Sequence, residues 1–196
     1  MTVRMHSKHG RGNRGFTIVE MMLVLAIFMI LAGMAIISIN GALPQEQVTS
    51  GMNTAMSVIR QGRDTAISER RDYALVYGPP LLPNQLQLQR LEIGGGVTTL
   101  PVVTLPAPAQ FSLDNSITQD TPDNFGTCSS GLCFGGSPTQ QWLSNGTFVN
   151  SLGQPLNATV FVNIAGNPST QRAFTILGTT GRIRAYKWTG SSWQLQ

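Results

Sequence analysis

The sequence predicts an α+β fold, a long N-terminal helix packed on an antiparallel β-sheet. Three observations predict it. Met21–Ile39 is an uncharged apolar run whose only polar residue is Ser38. Gln45–Arg71 then carries Val48, Met52, Ala55, Met56, Ile59, Ala66 and Ile67 at helical spacing. From Tyr73 onward the apolar period falls to two, in short segments separated by Pro, Gly and Asn.

The first element is a basic leader. Residues 1–15 hold Arg4, Lys8, Arg11 and Arg14 and no acid, whereas Phe16–Gln196 carries nine basic and nine acidic residues. The bulk of the chain is therefore neutral and is no polyanion binder by net charge. An apolar content of 41% excludes a disordered chain. Two Cys and two His, the latter at positions 6 and 9, exclude a metal-rich or disulfide-dense scaffold. No Ser-His or Cys-His pair can be built beyond the leader, and Gly94-Gly95-Gly96 lacks the Lys-Ser/Thr continuation of a phosphate loop. The sequence thus predicts no enzyme, no cofactor and no metal site.

The second element is the apolar helix. The nineteen residues Met21–Ile39, at about 1.5 Å rise each, span the roughly 30 Å hydrocarbon core of a bilayer. The basic flank predicts residues 1–15 in the cytoplasm and the remainder outside it. One reading is a secretory signal peptide with a small-residue site at Gly33-Met34-Ala35. The other is an anchor processed before the run. Glu20 favours the anchor: a carboxylate at the head of an apolar run is costly unless a partner satisfies it.

The segment Arg14-Gly15-Phe16-Thr17-Ile18-Val19-Glu20 resembles the type IV pilin processing motif. The resemblance implies that prepilin peptidase cleaves between Gly15 and Phe16 and methylates the new amine of Phe16. It also implies that Glu20 pairs with the N-terminal amine of a neighbouring subunit during assembly. Three segments follow: a leader at 1–15, a transmembrane and assembly helix at 16–40, and a periplasmic globular domain at 41–196.

Pro44 is expected to kink or interrupt the helix. Beyond it, Arg60, Arg63, Asp64, Glu69, Arg70 and Arg71 lie mostly off the apolar stripe and read as a solvated face, with a binding patch as the competing reading, and the last arginines stand at the helix end where cations suit the dipole. Strands are expected at Tyr73–Tyr77, at Leu86–Ile93 with a bulge near Arg90, and at Val97–Leu105, Phe111–Ile117, Gln141–Val149, Ala158–Ala165, Arg172–Leu177 and Gly181–Trp188. Ala158, Val160, Val162 and Ile164 alternate with Thr159 and Asn163, the pattern of a sheet packed on one side. Asn145-Gly146 reads as a hairpin turn. The stretch 78–140 is long and peculiar to this chain.

The layout further resembles the GspH/FimT-type minor pilin domain. The resemblance is carried by Ile59–Leu75, which closes the helix and enters the first strand, and by the closing Gly181-Arg182-Ile183-Arg184. It implies a minor pilin of a type IV pilus, with an H-type pseudopilin of type II secretion as the alternative and a signal-anchored surface binding domain as a third. The implied partners are other pilin or pseudopilin subunits, prepilin peptidase and the inner membrane. Some fimbrial members use the matching segment on DNA, so Arg182, Arg184, Tyr186 and Trp188, two apart on one strand face, form a candidate DNA contact. Arg172 could extend that patch, Lys187 points the other way, and a purely structural role is the competing reading. Cys128 and Cys133 enclose four residues including Gly131. Outside the cytoplasm a disulfide is expected, with free thiols as the alternative.

Overall fold

Helix α1 runs without a break from Ile18 to Glu69 in a computed structural model that describes residues 16–118, 120–135 and 139–196. The side chains of residues 35–41 also lie outside the described set. The chain divides into two compact units, Met1–Gly41 and Ala42–Gln196. In the first unit, Thr17 caps the helix: its Oγ1 accepts the Glu20 N–H at 3.2 Å. Thr-x-x-Glu at a helix start is the sequence form of a capping box, and the Glu20 carboxylate also lies at the positive end of the helix dipole. The apolar side chains that follow, Met21 to Leu31 among them, are exposed. Among the described residues no helix is long and apolar enough to cross a membrane, and the run Met21–Ile39 passes into residues 35–41.

Pro44 sits inside α1 and does not interrupt it. Proline forfeits one amide donor, and here the neighbouring turns carry the helix past the gap. In the second unit Val48, Met52, Ala55, Met56, Ile59 and Ala66 are buried as their spacing predicts, joined by Val58. Ile67 departs from the stripe and is 42% exposed. The helix stops at Glu69. Arg70 takes a left-handed φ of 53° and the Arg71 N–H returns to the Ala66 carbonyl at 3.2 Å, so both arginines lie past the last turn.

Among the described residues, twelve strands form two antiparallel sheets. The first contains β1 (Tyr73–Val76), β2 (Gln85–Leu91), β3 (Val97–Thr99), β4 (Val103–Thr104), β7 (Gln140–Trp142) and β8 (Phe148–Asn150), in the order β3-β2-β1-β7-β8 with β4 also on β2. The second contains β5 (Ala109–Gln110), β6 (Leu132–Cys133), β9 (Ala158–Ile164), β10 (Asn167–Leu177), β11 (Arg182–Trp188) and β12 (Trp193–Leu195), in the order β12-β11-β10-β9-β5 with β6 also on β9. Both sheets share one apolar core with α1. Leu75, Leu88, Trp142 and Phe148 come from the first, Val160, Val162, Phe174 and Ile176 from the second.

Two glycines let the helix approach. A Cβ on Gly51 would lie 2.7 Å from Ala109 Cβ, and one on Gly62 would lie 3.0 Å from both Leu88 Cδ2 and Trp142 Cδ1.

Several strand expectations are corrected. The register of β2 is unbroken through Arg90, so no bulge lies there; β2 simply ends at Leu91, and Ile93 is exposed in the turn to β3. The irregularity sits instead in β10, between Asn167 and Arg172. Val97–Leu105 is two strands, split around Pro101, which cannot donate to a ladder. Phe111–Ile117 is turn and irregular chain. Gln141–Val149 is the hairpin β7–β8, turning at Asn145-Gly146 with Gly146 at φ 81°. The strand β9 is not solvated on its second face, because Thr159, Phe161 and Asn163 are all buried. A second, smaller cluster of Cys128, Phe161, Ala173 and Tyr186 covers that face.

Candidate functional site

The residues singled out in the sequence fall in three places. The processing motif straddles the edge of the described chain. Gly15 and the basic leader, with Arg4, Lys8, Arg11 and Arg14, lie outside the described residues. Phe16 is 77% exposed and Glu20 is exposed one turn inside α1.

The cysteines form the second place. Cys128 and Cys133 are joined by a disulfide with Cα atoms 5.9 Å apart. Cys133 belongs to β6 and pairs with Thr159 of β9, while Cys128 is buried against the outer face of the second sheet. The bond therefore ties an irregular segment to the sheet it covers.

The closing strand is the third. Arg182, Arg184, Tyr186 and Trp188 do alternate along one face of β11, but that face is largely occupied from within. Asp123, which the sequence reading did not single out, reaches across it. Its Oδ1 accepts the Tyr186 hydroxyl at 2.6 Å and the Arg184 Nη1 at 3.2 Å, and its Oδ2 accepts the Thr175 hydroxyl. Burial pushes the Asp123 carboxyl upward, but the hydrogen bonds from Thr175, Tyr186 and Arg184, with the Arg184 charge, hold it below the usual aspartate value. Burial and the bond to Asp123 push the Tyr186 phenol up, so it stays a donor. Trp188 is 9% exposed and packs edge-on against Trp193 at 5.2 Å. Arg182 is exposed. Only turn residues such as Thr121-Pro122-Asp123-Asn124 signalled in the sequence that this segment has structure of its own.

Arg172 does not extend this face. It pairs across the ladder with Lys187, so it shares the opposite face, where Phe174 and Ile176 point to the helix. Its guanidinium is 2% exposed and donates to Gln45 Oε1 at 2.7 Å and to the carbonyls of Thr170 and Gln171. Burial lowers its pKa, and Glu46 partly offsets that.

Arg63 is likewise not part of a solvated face. Its Nε donates to the Gly146 carbonyl at 3.2 Å and its Nη2 to the Thr180 carbonyl at 3.3 Å. It thus ties the helix to the β7–β8 turn and the β10–β11 turn together. Gly181 has φ 67°, and a Cβ there would lie 2.4 Å from Arg63 Nε. The helix-closing segment and the Gly-Arg-x-Arg segment meet at this contact.

Among the described residues no group of three or more His, Cys, Asp or Glu could hold a metal ion. A cleft of about 370 Å³, lined by Tyr77, Leu81, Leu82, Phe111 and Leu132 among others, presents no carboxylate, histidine or cysteine.

Residues 10–36 match the family model described as the prokaryotic N-terminal methylation motif. Behind that motif the chain forms a helix packed on antiparallel sheets. Two solved structures are similar in fold. One is the type IV minor pilin FimU of Pseudomonas aeruginosa, with 15% identity over 78% of this chain and 90% of that one, and a TM-score of 0.48. The other is the minor pseudopilin EpsH of the Vibrio cholerae type 2 secretion system, with 16% identity over 73% and 99% and a TM-score of 0.44. No curated protein sequence matches the chain.

Proposed function

We propose that this chain is a minor pilin-like structural subunit of a filament anchored in the inner membrane, rather than a catalyst. The apolar first half of α1 is its anchor, and the globular domain lies in the periplasm before assembly. Prepilin peptidase cuts between Gly15 and Phe16 and methylates the Phe16 amine. Glu20 then receives the amine of a neighbouring subunit. The observation that carries this reading is the methylation-motif match over residues 10–36, with Glu20 in the first turn behind it. A carboxylate brought into an apolar filament interior requires a counter-charge, and a terminal amine supplies one.

The test is mass spectrometry of the mature N-terminus together with incorporation of Glu20→Ala. The expected product begins at methylated Phe16, and the Glu20→Ala protein is cleaved normally but absent from sheared filaments. A start after Ala35, as in a signal peptide, overturns the reading.

A fimbrial filament is the preferred setting and a type II secretion pseudopilus the second. Deletion separates them: loss of twitching and transformation supports the first, loss of exoprotein release the second. DNA contact through Arg182, Arg184, Tyr186 and Trp188 is the weaker part of the proposal, since Arg184 is paired with Asp123 and both aromatics are buried. In a mobility shift across a salt series, Arg182→Gln with Arg184→Gln must weaken binding for it to stand.

A further inference from the structure

The second sheet has two differently built faces. Toward α1, the strands β9 and β10 present Ala158, Val160, Val162, Phe174 and Ile176, with Arg172 as the polar exception. The opposite face presents Thr159, Asn163, Gln171, Thr175, Arg184 and Tyr186 around Phe161 and Ala173, and it is nevertheless covered. A permanent core face is apolar, because every buried polar group there needs a partner held in place. Several of these find theirs in the overlying chain: Asn163 accepts from Ser112, Gln171 meets Asp114 and Ser112, and Thr175, Arg184 and Tyr186 meet Asp123.

The covering residues 120–130 also hold their own shape. Thr121 Oγ1 accepts the Phe125 N–H at 2.7 Å and donates to the Gly126 carbonyl at 3.0 Å, closing a turn with Asn124 at φ 58°. A segment that holds its own turn and is joined to the sheet below through the side-chain hydrogen bonds of Asp123 has the makings of a unit that opens locally.

We propose that residues 120–130 form a detachable strap on the outer face of the second sheet, closed by two latches. One is the Asp123 carboxylate, gripped by Thr175 of β10 and by Arg184 and Tyr186 of β11. The other is the Cys128–Cys133 disulfide, which fixes the strap to β6. The charged and titratable groups facing Asp123 are Arg184 and Tyr186, and β10 contributes only the Thr175 hydroxyl. Reduction by a dithiol delivers two electrons and two protons, converts the bond to two thiols and leaves the reagent as a disulfide. Reduction together with loss of the Asp123 charge opens the strap and bares Tyr186, while α1 and both sheets stay closed.

The experiment uses the full chain in detergent, with the thiols freed by the dithiol blocked by iodoacetamide and both reagents removed, and follows nitration of Tyr186 by tetranitromethane, mapped by mass spectrometry. Tyr73, 2% exposed beside the other sheet, reports on global unfolding. Oxidised wild-type protein is expected to nitrate slowly at both. In reduced Asp123→Asn, the Tyr186 rate rises at least tenfold with Tyr73 unchanged, and hydrogen exchange quickens across residues 120–130 but not across β6, β9 and β10. Either change alone produces a smaller rise. The proposal is overturned when Tyr186 in the reduced variant stays as slow as in wild type, or when Tyr186 and Tyr73 accelerate together. Should Asp123→Asn fail to fold, reduced Thr175→Val, which removes one donor from the same latch, must show the same selective rise.

Discussion

Gly181 and Arg182 are adjacent, yet the structure gives them unlike work. Gly181 holds a left-handed φ and leaves room for Arg63, which bonds two turns at once. Gly181→Ala is expected to destabilise the domain by about 2–3 kcal/mol, from about 1–2 kcal/mol of left-handed strain plus displacement of Arg63. Arg182→Gln, on an exposed side chain, should stay within about 0.5 kcal/mol of wild type. Urea unfolding of the pair decides it, and equal losses would show that the segment acts through its arginines instead. This division was not legible in the sequence. The closing Gly-Arg-x-Arg was visible, but its glycine matters because of a side chain 118 positions upstream in the chain. Likewise Asp123 lay in the one stretch without period, where no alternation points to a partner.

At the scale of elements, α1 and β10 meet through a buried guanidinium that no carboxylate pairs directly. Replacing such a group by an apolar one of similar length is often neutral, whereas removing its partner strands the charge. Arg172→Met is therefore expected to change stability by less than about 1 kcal/mol in either direction. Gln45→Ala should cost about 1–3 kcal/mol by leaving the guanidinium nitrogen unbonded. Thermal melts of the two variants and their double mutant check this; restoration of stability in the double mutant is the signature, and a Gln45→Ala protein as stable as wild type would sink the argument. The helix itself was readable, because its stripe from Val48 to Ala66 keeps one period. The strand β9 was readable as a strand but misread in its surroundings: Thr159 and Asn163 look solvent-facing by composition, and only tertiary cover buries them. Short strands such as β5, β6 and β12, two or three residues each, carry too few positions for any period to show.

For the molecule as a whole, acid is the condition that separates its parts. The folded Asp123 carboxyl lies below the ordinary aspartate value of 3.8. The stability it contributes is thus complete above that value and lost as pH falls through the lower, folded one. Wild-type melting temperature should decline as pH drops below about 4, with Asp123→Asn already lower at neutral pH and flatter on that acid limb. Parallel acid limbs for the two proteins would remove Asp123 from the account. At this same scale the sequence sets an uncharged apolar run beside a neutral, polar-rich remainder, and the two ask for different surroundings.

The β2–β3 turn offers a practical handle on the proposed filament. Glu92 N–H bonds the Gly96 carbonyl, the tip between them carries Gly94 and Gly95 at positive φ, and Ile93 is 86% exposed. Because the strands on either side are already paired, a short epitope or a fluorophore-bearing cysteine inserted between Gly94 and Gly95 leaves the register intact and faces water. Such a label spares Phe16 and the ends of the chain, so in a filament of the kind proposed individual subunits would be countable by antibody or light microscopy without disturbing how they join it.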